Sequence, residues 1–107
     1  MKDIRNKKLP LEKIIASAKA TKAKKMILFG SSVNLEKPHD LDLCIVVDND
    51  KNILEFQKQF RLKLWDLKYD WKLPLDLHVY QENIYQKRLS QNDFFITEVA
   101  KGVTLYG

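Results

Sequence analysis

Asp40 and Asp42 open an apolar run, LDLCIVV at 41–47, with a single leucine between them. In an extended chain successive side chains point to opposite faces, so the two carboxylates share a face with Cα atoms about 6 to 7 Å apart. On the other face Leu41, Leu43, Ile45 and Val47 make an unbroken apolar row. Like charges at the border of a core raise each other's proton affinity unless something positive lies between them. A divalent cation supplies that charge, and hard cations such as Mg²⁺ take one or two carboxylates together with substrate phosphates. Asp76 opens a second alternating run, LDLHVY at 75–80, and shares its face with His78 and Tyr80. If the two runs are neighbours, Asp40, Asp42 and Asp76 converge. Three such carboxylates can hold two ions about 3.5 to 4 Å apart, the arrangement that clamps both oxygens in phosphoryl transfer.

Phe29-Gly30-Ser31-Ser32 supplies a complementary half. An apolar run ends, glycine permits a tight turn and a close backbone approach, and a helix is expected to begin. The free N–H groups of that turn and the hydroxyls of Ser31 and Ser32 form an anion site. Eight residues separate Ser31 from Asp40. Anion site and metal site together describe a device for binding a nucleoside triphosphate with Mg²⁺.

The elements that must position these groups follow from periodicity. Pro10 suits a helix start, and Leu11, Ile14, Ile15 and Ala18 recur at helical spacing to about Thr21. KKMILF, 24–29, predicts a strand stopped by Gly30. A short helix follows Ser31 and must end by Pro38. LDLCIVV is β-branched and apolar, hence a buried strand. DNDK, 48–51, carries turn and cap chemistry. Ile53, Leu54, Phe56, Phe60, Leu64 and Leu67 then fall on one stripe, predicting a long helix to about Lys68. After Pro74 comes the third strand, then helices over 82–90 and 92–101, the latter capped by Gly102, and a last short strand in VTLY. The order α-β-α-β-α-β-α-α-β predicts an α/β (α+β) fold, a small mixed sheet packed against helices, in a single domain over 1–107.

FGSS, DLDLCIVV and LPLDLHVY, in this order, resemble the nucleotidyltransferases of the DNA polymerase β superfamily, and specifically the minimal nucleotidyltransferases. FFITEVAKGVTLYG is similar to the last helix and terminal strand of that family. The resemblance implies a nucleotidyltransferase fold, with Gly30 and Ser31 holding the triphosphate and Ser32 assisting. It implies that Asp40 and Asp42 bind two Mg²⁺ ions, while Asp76 binds one and helps deprotonate an acceptor hydroxyl. The implied reaction moves a nucleoside monophosphate, AMP from ATP, onto that hydroxyl and releases pyrophosphate. Minimal members commonly act as antitoxins to a HEPN-domain ribonuclease toxin, and some add AMP to its tyrosine. The spacer before Asp40 is shorter than usual in the family, and Val33 and Asn34 stand where many members carry an Ala-Arg pair. Those departures give the alternative reading of an antitoxin that binds its partner stoichiometrically.

Composition bounds the remaining classes. The net charge is +5, and residues 1–25 hold nine Lys or Arg against Asp3 and Glu12, while the rest of the chain holds ten basic and twelve acidic residues. We read the basic segment as a solvated helix face, because no aromatic residue is interleaved with its lysines as a base-stacking platform requires. Transfer to RNA is therefore the weaker reading. The longest uncharged apolar run, 43–47, is far short of a membrane span. The single cysteine, Cys44, cannot form an internal disulfide and reads as a small buried hydrophobe, which suits the cytoplasm. His78 reads as a half-exposed strand histidine and His39 as a loop residue. Trp65 and Trp71 read as core or interface anchors. The sequence leaves homo- and hetero-oligomers both open.

Overall fold

The computed structural model describes residues 11–30, 33, 40–70 and 74–107. Helix α1, Leu11–Ala20, buries Leu11, Ile14, Ser17 and Ala18 at helical spacing. The buried Ser17 hydroxyl donates to the Lys13 carbonyl at 2.9 Å, so it enters the core with a partner. Four strands follow the period-two pattern: β1, Lys25–Leu28; β2, Leu41–Val47; β3, Leu75–Gln81; and β4, Val103–Tyr106. Helix α2, Ile53–Asp66, connects β2 to β3, and α3, Glu82–Ser90, and α4, Phe94–Ala100, precede β4.

The sheet order is β3-β2-β1-β4. β2 pairs parallel with β3 and antiparallel with β1, and β1 pairs antiparallel with β4. The sheet is mixed, as expected for an α+β chain of this pattern. A parallel neighbour needs a long crossover, and α2 supplies it. On one face Leu41, Leu43, Ile45 and Val47 meet Leu11, Ile14 and Ala18 of α1 and Phe56, Phe60 and Leu64 of α2. On the other, Cys44 and Val46 join Ile27, Tyr85 of α3, and Ile96 and Val99 of α4. Helices thus cover both faces, and β2, the most apolar strand, lies at the centre. Removing the fully buried Phe60 ring would cost about 3 to 5 kcal/mol, the usual range for core Phe→Ala changes.

Some details differ from expectation. Leu54 leaves the buried stripe because it lies on the far side of α2 from Phe56, Phe60 and Leu64, and it is exposed. Trp65 is likewise exposed and is no core anchor. The cap of α2 is Asn52, just beyond DNDK, whose side chain accepts from the Glu55 N–H at 2.9 Å. Gly102 does not close α4 by a left-handed turn. Its Cβ would stand 2.3 Å from the Leu28 carbonyl oxygen, so glycine is required there for β4 to come alongside β1. The short helix expected after Ser31 lies outside the described residues, apart from Val33, which is helical. Pro10, Pro38, His39 and Trp71 lie outside them too. No helix among the described residues is long and apolar enough to cross a membrane.

Candidate active site

Asp42 and Asp76 are register partners across the parallel β2–β3 pair. Both follow a leucine that faces the α1–α2 layer, so alternation turns both carboxylates to the opposite face. Asp40 stands just before β2, exposed, on the same side of the alternation. Burial pushes the Asp42 carboxyl above the usual carboxylate range, the neighbouring Asp76 and Asp40 push it further, and His78 opposes them. Asp42 and Asp76 face each other closely enough for their side chains to interact directly. The three aspartates form one electrostatic unit with an excess of negative charge.

The end of β1 completes the arrangement. The Phe29 N–H donates to the Asp42 carbonyl at 3.1 Å, which fixes Gly30 beside the first carboxylate of β2. Gly30 takes φ +68°, the left-handed region that side chains rarely enter. A Cβ there would lie 2.6 Å from Asp42 Oδ2. Glycine is therefore demanded twice, by the backbone and by the carboxylate against it. The Val33 N–H donates to the Gly30 carbonyl at 3.3 Å, closing the turn that begins there. Ser31 and Ser32, expected to complete the phosphate cradle, lie outside the described residues.

His78 is half-exposed, as read from the sequence, but its placement is specific. Nε2 lies 3.2 Å from Asp76 Oδ2. Its ring packs 5.7 Å from that of Phe29 and 4.8 Å from that of Phe95, and the two phenylalanines meet edge-on at 5.5 Å. This aromatic group ties the end of β1, the middle of β3 and the start of α4 into one wall beside the acids. Phe29 and Phe95 were not foreseen as part of it, because only the sheet order and the docking of α4 bring them together. Cys44, two residues along the same face from Asp42, is fully buried, and burial pushes its thiol up to about 12. It stays protonated at neutral pH and is no nucleophile.

Among the described residues no group of three acidic, histidine or cysteine side chains is placed to hold a metal ion. The donor set still fits a hard divalent cation. It offers carboxylate oxygens, and the mutual repulsion that raises Asp42 marks a place where positive charge would be stabilising.

A family model described as a nucleotidyltransferase domain matches residues 11–100, from the start of α1 to the end of α4. The chain belongs to the nucleotidyltransferase-domain family. A search of curated proteins found no match. The match takes in the β1 turn and both carboxylate strands, so the Asp42–Asp76 pair lies within the matched domain. Such domains move a nucleoside monophosphate from a nucleoside triphosphate and typically employ a divalent metal.

Proposed function

We propose that this chain is an Mg²⁺-dependent nucleotidyltransferase that moves AMP from ATP to a hydroxyl of a partner protein, a HEPN-domain ribonuclease toxin, and so acts as its antitoxin. The observation that carries the chemical part is the register of Asp42 with Asp76 behind a left-handed Gly30. The acceptor and the antitoxin role rest on the resemblance of FGSS, DLDL and LPLDLHVY to minimal nucleotidyltransferases. We place the reaction in the cytoplasm and in a single domain.

Gly30, Ser31 and Ser32 bind the triphosphate through N–H and hydroxyl groups. Asp40, Asp42 and Asp76 are the catalytic carboxylates and the ligands of two Mg²⁺ ions. When bound, those ions neutralise phosphate charge and stabilise the attacking and leaving oxygens. Asp76 accepts the acceptor's hydroxyl proton, directly or through water. The freed oxygen bonds to the α-phosphorus, the bond from that phosphorus to the bridging oxygen breaks, and pyrophosphate leaves. His78 Nε2, 3.2 Å from Asp76 Oδ2, restrains that carboxylate's rotation, while Phe29 and Phe95 hold the imidazole.

The test is incubation with ATP labelled at the α-phosphate, Mg²⁺ and the protein encoded by the adjacent gene. Label should pass to that protein, and Asp40→Asn with Asp42→Asn should abolish transfer. Transfer that survives the double change contradicts the assigned acids. A second reading is favoured by the short spacer before Asp40 and by Asn34 in place of an arginine. On that reading the chain neutralises its partner by stoichiometric binding, and the double variant still protects cells and still co-elutes with the partner. Lost protection with retained complex formation would favour catalysis instead.

A further inference from the structure

Five large apolar side chains are exposed among the described residues, and three of them, Leu54, Leu62 and Trp65, lie on α2. Leu54 is 77%, Leu62 49% and Trp65 70% exposed. At about 100° per residue, Leu54, Lys58, Arg61, Leu62 and Trp65 fall on one outward stripe, about 16 Å long. Phe56, Phe60 and Leu64 bury the opposite side of the helix. The stripe itself contains two exposed cations, Lys58 and Arg61, and exposed Asp66 borders it. Glu55 lies beside it and is hydrogen-bonded to Gln59 at 2.9 Å. At the end of the stripe a shallow depression is lined by Trp65, Asp66, Lys68 and Tyr69.

We infer that this face of α2 docks an acidic amphipathic helix of a partner protein. Exposed aliphatic and indole groups in a line gain most by burial, and an amphipathic helix meets such a line with its own apolar stripe. The interleaved Lys58 and Arg61 select carboxylates along the margins of that stripe. A second copy of this chain is a poor occupant, because a symmetric contact would set the same cations against each other. Single-stranded RNA is also poorer, since Leu54 and Leu62 offer no ring on which a base can stack. The face lies on the α1–α2 side of the sheet, whereas Asp42 and Asp76 point to the α3–α4 side. Docking there leaves the carboxylates open, and the inference does not depend on the chemistry proposed above.

The probe is a labelled synthetic amphipathic peptide with leucines at helical spacing and glutamates beside them, titrated with the full chain and followed by fluorescence anisotropy. The control replaces every glutamate by lysine. The acidic peptide should bind saturably and more weakly as salt rises, with the lysine peptide at least about tenfold weaker. Leu54→Gln with Trp65→Gln, and separately Arg61→Glu, should each weaken it about tenfold or more. These positions are exposed, so unchanged circular dichroism will show that the variants fold. No binding of the acidic peptide, equal binding of both peptides, or binding untouched by the variants overturns the inference. So does a labelled single-stranded RNA whose binding the same variants abolish, or a dimer in sedimentation that Trp65→Gln dissolves.

Discussion

Asp42 is the residue on which the chemistry and the stability of the chain meet. Its folded-state carboxyl lies above the ordinary value because of burial first, then Asp76 and Asp40. A raised acid stabilises the fold while protonated, and that contribution is lost as pH rises through the folded value. Once ionised, the site therefore works against folding. Asp42→Asn should raise the thermal midpoint of the metal-free chain at pH 7, and the gain should shrink as pH falls towards the ordinary carboxylate range. A melting series with pH checks this, and a midpoint lowered at pH 7 would count against it. Gly30→Ala should act in the other direction, costing about 1 to 3 kcal/mol for the left-handed backbone alone. It should also weaken ATP binding, since the new methyl meets Asp42 Oδ2. Denaturant unfolding and a nucleotide titration separate the two effects. Much of this site was legible in the residues, because alternation alone puts Asp40 with Asp42 and Asp76 with His78. Strand order was not, and so neither the pairing of Asp42 with Asp76 nor the packing of His78 between Phe29 and Phe95 could be read directly.

The elements were legible where a period ran long enough to bury a face. β2 spans the expected 41–47, and α2 begins where its stripe begins. Leu54 misled because it sits one residue after Ile53, where a helix turns about 100° away from the core. Helix ends were harder to read, for a physical reason. Two positions beyond the ends of α1, α2 and α3 stand residues at positive φ, Lys22, Lys68 and Asn92. In each the next N–H reaches back to the fifth residue before it: Ala23 to Ala18, Tyr69 to Leu64 and Asp93 to Arg88, all at 3.0 Å. That motif favours glycine, whereas two of its positions here are lysines, so the usual signal was missing. Lys22→Gly and Lys68→Gly should each stabilise the chain, by about 1 kcal/mol, by removing the left-handed strain. Equilibrium unfolding measures this, and loss of stability in both would mean that the lysine side chains matter more than their backbones.

At the scale of the molecule, the central sheet separates two jobs. The β3-β2-β1-β4 order sets Asp42 between Asp76 on one neighbouring strand and the Gly30 turn at the end of the other. Helices α1 and α2 close one face and present the apolar and basic stripe outward, while α3 and α4 close the lower part of the other and leave the acids at its upper end. A nucleotidyltransferase domain built this way offers chemistry on one side and a docking surface on the other. The claim on which this account rests is that the three aspartates bind a divalent cation together with a nucleoside triphosphate. Electron paramagnetic resonance of Mn²⁺, titrated into the chain with a non-cleavable ATP analogue, tests it most directly. The wild-type chain should sequester Mn²⁺ in the presence of the nucleotide, and Asp42→Asn with Asp76→Asn should leave it free at the same concentrations. Mn²⁺ binding of equal strength in both would contradict the account.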